Sequence, residues 1–124
     1  MKETVLVVDD NSELRELIGL RLTLSGIPHL QCNDGMEALE IIRSSRPGII
    51  LTDVKMPRMS GFELLKKVRE FNSESLFIFL TGDINRNQVN EAIKFGVFDF
   101  IEKGSNDRCV ETLKMAQKFL SRAS

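Results

Sequence analysis

Cysteine is scarce in this chain. Cys32 and Cys109 are the two in 124 residues, too few for a disulfide framework and without the paired spacing of a metal site. Both are expected to be reduced thiols. Long hydrophobic runs are missing too. No stretch approaches the roughly 20 apolar residues of a membrane-spanning helix, and the apolar run after the single N-terminal lysine is too short for a secretory leader. Neither sign of charge is in excess. The 17 basic and 18 acidic residues leave a formal net charge of -1. A pI of about 5.9 argues against nucleic acid as a direct partner, because such binding calls for a basic face. Internal repeats, linkers and low-complexity segments are absent as well. These absences point to a cytoplasmic globular protein, and 124 residues that are 42% hydrophobic suffice for one domain with one core.

What is present is alternation. Short runs of branched and aromatic residues at 5–8, 48–52, 76–80 and 98–102 read as buried strands. A further strand at 27–32 contains Pro28, which is tolerated at a strand start or a sheet edge. Between the strands the apolar spacing turns helical. Leu14, Leu17, Ile18 and Leu22 share one face of a helix capped by Asn11 or Ser12 and stopped at Gly26. A second helix starts after Asp34, carries Ala38, Leu39 and Ile42 inward, and ends before Pro47. Ser60 and Glu63 form a capping box for a third, which buries Leu64, Leu65, Val68 and Phe71. The fourth spans about 86–95 with Val89, Ala92 and Ile93 inward and Gly96 beyond its end. The fifth spans about 106–120 with Cys109, Leu113, Ala116 and Leu120 at helical spacing. Five strand–helix units predict an α/β fold, a doubly wound five-stranded parallel sheet with five helices on its two faces. Right-handed crossovers and an edge second strand give the order 2-1-3-4-5, as in flavodoxin-like folds.

The chemistry-bearing residues follow the strands. Asp9 and Asp10 follow the first, Asp53 the third, Thr81 the fourth and Lys103 the fifth. Open parallel sheets bind ligands at the carboxyl edge, where the winding reverses. Each residue alone is ordinary: an acidic pair caps a helix, and a threonine before glycine opens a loop. Together they make three carboxylates and one ammonium, a sum of -2, which is costly in one pocket unless a cation binds or protons are taken up. One Mg²⁺, a hard cation that prefers oxygen ligands, would neutralise the set. A carboxylate such as Asp53 can then act as a nucleophile towards phosphorus.

With the loop Asp53-Val54-Lys55-Met56-Pro57-Arg58-Met59-Ser60-Gly61, these residues closely resemble the receiver domain of bacterial two-component response regulators. The resemblance covers essentially the whole chain. It implies that Asp53 is the phosphoacceptor, that Asp10 binds Mg²⁺ directly, and that Asp9 acts largely through bound water. It further implies that the backbone carbonyl of Lys55 completes the metal ligands. Thr81 would contact the phosphoryl oxygens, Lys103 would pair with them, and Phe100 would be the switch aromatic. The donor would be a histidine kinase or histidine phosphotransfer protein. The signalling surface would be that of helix four, strand five and helix five.

Three positions depart from the family pattern. Gly104 follows Lys103 where the family usually has proline, often after a cis bond. A cis bond before a non-proline residue costs about 3 kcal/mol, so a trans bond and a looser loop are expected. Lys55 sets a cation beside the site, able to reach the acids or to shield an acyl phosphate, or simply solvated. Phe98 stands where transcription-factor receivers usually carry an acid. With Phe95 and Met115 it would make the signalling face apolar, unless it is partly core.

The chain stops at the fifth helix, so a single receiver domain over 1–124 with no output domain in this chain is expected, either standing alone or as one domain cut from a longer regulator. An aspartate-nucleophile phosphatase is disfavoured, because Lys55 stands where such enzymes want a second acid. A phosphorylation-independent scaffold is the remaining rival. Flavin binding lacks its Ser/Thr/Gly-rich phosphate loop.

Overall fold

Val5, Leu6, Val7 and Val8 are all buried and form the strand β1 (Val5–Val8). A strand buried on both faces has no polar side to show, which is why the run is continuous. In the computed structural model, which describes residues 3–83, 85–104 and 106–123, side chains alternate between the faces. Leu6 and Val8 join a core under α2 (Gly35–Ser45) and α3 (Gly61–Arg69), while Val5 and Val7 join one under α1 (Ser12–Leu24) and α5 (Asn106–Ala123). The remaining elements are β2 (His29–Cys32), β3 (Ile49–Asp53), β4 (Leu76–Thr81), α4 (Arg86–Lys94) and β5 (Val97–Glu102). All neighbouring strands pair in parallel, in the order β2-β1-β3-β4-β5. This is the doubly wound, flavodoxin-like arrangement expected from the alternation. Residues 1 and 2 of the short N-terminal segment, and Ser105 in the loop expected to be looser, lie outside the described residues.

The helix starts follow the capping residues. Asn11 accepts the Leu14 N–H at 3.1 Å. Asp34 accepts the Glu37 N–H at 2.8 Å, while Glu37 reaches back one residue further, to the Asn33 N–H. Ser60 and Glu63 form the reciprocal box. Phe77 and Phe79 are fully buried, and burial of a side chain this large stabilises by roughly 1.5–3 kcal/mol.

Four expectations on burial and boundaries need correction. Leu17 is 44% exposed and lies with Leu20 and Leu24 on the outer face of α1, so the inward face is built on Ile18 and Leu22. Phe71 falls past the end of α3 and is 44% exposed, with Arg43 stacked over its ring at 5.0 Å. Ile93 is 61% exposed, which leaves Ala92 as the buried anchor of α4. The second strand begins at His29, beyond Pro28. The suggested apolar face is also divided. Phe98 packs edge-on to Phe119 at 5.9 Å on the α1/α5 side, whereas Phe95 belongs to the α2/α3 side beneath Lys66.

Candidate functional site

Each acid is placed by the backbone that precedes it. Asp9 follows β1, and its N–H donates to the Cys32 carbonyl at 3.2 Å. It is 1% exposed. Its Oδ1 accepts the Asn11 N–H at 2.9 Å, while Oδ2, equally buried, has no hydrogen-bond partner among the described residues. Asp53 ends β3 and is buried. The following loop folds back onto it. The Gly61 N–H donates to the Val54 carbonyl at 2.9 Å, and a Cβ at Gly61 would collide with the Asp53 carbonyl. Asp10 is exposed. One carboxylate oxygen each from Asp9, Asp10 and Asp53 lie within 4.8 Å of one another.

Lys103 comes from the other side of the sheet. Its N–H donates to the Thr81 carbonyl at 2.9 Å, tying the ends of β4 and β5 together. Its Nζ then reaches Asp53 Oδ2 at 2.8 Å. Burial opposes the ammonium charge, yet the hydrogen bond and charge of Asp53, helped by Asp9 and Asp10, hold its pKa above the ordinary value. Asp9 is shifted in the same direction for different reasons. Burial pushes its carboxyl up, and the charges of Asp53 and Asp10 add to this against the Asn11 N–H.

Three acids and one amine are thus brought together at the carboxyl edge, on β1, β3 and β5 with their loops. The Thr81 side chain is engaged differently. Its hydroxyl donates to the Asp83 carbonyl at 2.9 Å and accepts the Asp83 N–H at 3.1 Å, so it is turned into its own loop. Lys55 is exposed, and its N–H lies 3.4 Å from Asp53 Oδ1. Phe100 is half-buried against Phe79, with ring centroids 5.5 Å apart, and Phe62 also meets Phe79, at 4.8 Å. The Lys103–Gly104 peptide is trans, since no described peptide bond is cis, and Gly104 has φ +94°. That is a backbone region open to glycine and closed to proline.

The donor set suits a hard divalent cation. It is all oxygen, it includes a buried carboxylate atom with no partner, and it retains excess negative charge. A groove of about 690 Å³, lined by Arg43, Arg46, Phe71 and Ser75, opens at the amino ends of β3 and β4, away from these acids. The residue that the sequence reading missed is Arg15, whose guanidinium donates to the Asp9 carbonyl. A bond to a backbone atom leaves no mark in residue spacing.

Comparison with known proteins identifies the family. The response regulator receiver domain profile matches residues 5–114. The chain belongs to that family. The receiver is 32% identical over 118 residues to the transcriptional regulatory protein FixJ of Rhizobium meliloti (strain 1021), covering 94% of this chain and 58% of that one. It is 29% identical over 103 residues to sporulation initiation phosphotransferase F of Bacillus subtilis (strain 168), covering 83% of each. Other curated relatives are longer, and the receiver spans 10% to 45% of their length. A CheY-like receiver domain protein from Methanospirillum hungatei JF-1 shares its fold, with a TM-score of 0.93 at 22% identity over 100% of both chains. Among the described residues, no helix of the receiver is long and apolar enough to cross a membrane.

Proposed function

We propose that this receiver is a phosphorylatable switch, taking a phosphoryl group onto Asp53 from a phosphohistidine on a histidine kinase or phosphotransfer protein. One observation carries the reading. Asp53 already has one cation, the Lys103 amine at 2.8 Å, and beside it the buried Asp9 Oδ2 has no partner. An Asp53 oxygen attacks phosphorus, and the P–N bond to the donor imidazole breaks as the P–O bond forms. Lys103 stays with the oxygens that gain charge. Asp9, Asp10, Asp53 and the Lys55 carbonyl would hold Mg²⁺, which would supply the rest of the charge neutralisation.

The same geometry suggests how the signal leaves the site. The new dianion competes with the Asp83 backbone for the Thr81 hydroxyl. Turning Thr81 towards the phosphoryl group releases the loop that leads to the α4 N-cap, Asn85. It also frees space that Phe100 can fill, and the α4/β5/α5 surface changes shape.

Incubation with Mg²⁺ and acetyl phosphate, read by intact mass, tests the reading. One phosphoryl adduct is expected in the wild type and none in Asp53→Ala or after chelation. A wild type that takes up neither this phosphoryl group nor a beryllofluoride mimic overturns it in favour of a phosphorylation-independent scaffold.

A further inference from the structure

Arg15 lies in the first turn of α1, one turn beyond its N-cap, and its Nη1 donates to the Asp9 carbonyl at 2.7 Å. That carbonyl and the Asp10 N–H belong to one planar peptide unit. A bond to the oxygen therefore fixes the orientation of the plate that joins the two acids. The rest of Asp9 is held as well, through its N–H on the Cys32 carbonyl and its Oδ1 on the Asn11 N–H, so that Oδ2 alone is left without a partner.

We propose that Arg15 is a positioning residue for divalent-metal binding: by locking the Asp9–Asp10 peptide plane, it keeps both carboxylates in the placement that gathers three oxygens with Asp53. The inference rests on reading the acid set as a metal site. Two effects of Arg15 oppose each other. Its charge repels an incoming cation, so its loss would tighten binding. Its hydrogen bond preforms the ligand pair, so its loss would weaken binding. Groups that orient metal ligands from behind commonly change affinity by about 10–100-fold. A single guanidinium facing a carbonyl near solvent repels through a high effective dielectric. Positioning therefore wins, and the sign of the affinity change separates the two.

The test is a Mg²⁺ titration without phosphodonor, followed by the amide NMR shifts of Asp9, Asp10 and Asp53, in wild type, Arg15→Met and Arg15→Lys. Urea unfolding without metal is measured alongside, so that affinities are compared only among folded proteins. Arg15→Met is expected to bind Mg²⁺ about tenfold more weakly. Arg15→Lys, which keeps the charge and loses the rigid planar fork, is expected to show a smaller loss. Unchanged or tighter binding in Arg15→Met overturns the proposal. Should Arg15→Met fail to fold, Arg15→Lys decides, weaker binding supporting the proposal and equal or tighter binding overturning it. A wild type that shows no shifts with Mg²⁺ overturns the metal-site reading itself, and this inference with it.

Discussion

Asp9 is held in a state that costs stability when no cation is bound. Burial and the neighbouring Asp53 and Asp10 charges all disfavour its ionised form. Its folded pKa therefore lies above the unfolded one, and protonation favours the folded state. The Asp9 contribution to stability should grow as pH falls from neutral through that raised pKa, and shrink again as pH rises. Asp9→Asn removes the charge and keeps the shape. It is expected to be more stable than wild type by about 1 kcal/mol at pH 7 without Mg²⁺, and that gap should close as the pH is lowered. Urea titrations of the pair at several pH values measure this, and a gap independent of pH removes the electrostatic account. The residue types at 9, 10, 53, 81 and 103 were legible in the sequence, because each lies at the end of a strand or within two residues of it. What could not be read was that Thr81 turns into its own loop and that Asp9 Oδ2 is left unpaired. Both depend on side-chain rotamers that spacing does not encode.

Among the helices, α4 is held most lightly, with Ala92 its buried residue. Its C-terminal end is fastened from outside. Arg69, the last residue of α3, donates to the carbonyls of Phe95 at 2.6 Å and Gly96 at 3.2 Å. The same guanidinium binds the Asn72 carbonyl and both oxygens of Ser75, and it lies over the Phe77 ring. No carboxylate pairs with it among the described residues. It faces the negative end of a helix dipole, where a cation is favourable. Burial lowers its pKa from a value so high that the charge remains. Arg69→Met should cost about 2–3 kcal/mol, by leaving desolvated carbonyls unpaired. Amide exchange should accelerate at 95–97 well before it does in β1. Equal protection in the variant would remove the fastening role. Helix positions were readable from caps and periodicity, but their facing was less so. Leucines on both sides of α1 make the inward stripe ambiguous, and the outward Leu17 and Ile93 sit at spacings that an inward residue would also satisfy.

At the scale of the molecule, the sheet separates two cores, and each holds one thiol. Cys32 lies on the α2/α3 side and Cys109 on the α1/α5 side. Burial pushes their pKa values to about 12 and about 11, so the native thiolate fraction is small. Both should resist alkylation at pH 8 and react only through opening. If the two cores unfold as one unit, as single domains of this size usually do, the thiols should label at the same rate and with the same urea dependence. Mass spectrometry of each cysteine peptide checks this, and faster labelling at Cys109 would mean that α5 opens alone. The architecture was legible at this scale, because alternating strand and helix patterns leave few topologies open. Gly104 carries a last consequence, for how such a sequence can drift. Proline fixes φ near -65°, while the backbone here stands at +94°. Proline substituted at 104 would meet a backbone already wound the other way. Gly104→Pro would fold well only with accompanying changes in the residues around it.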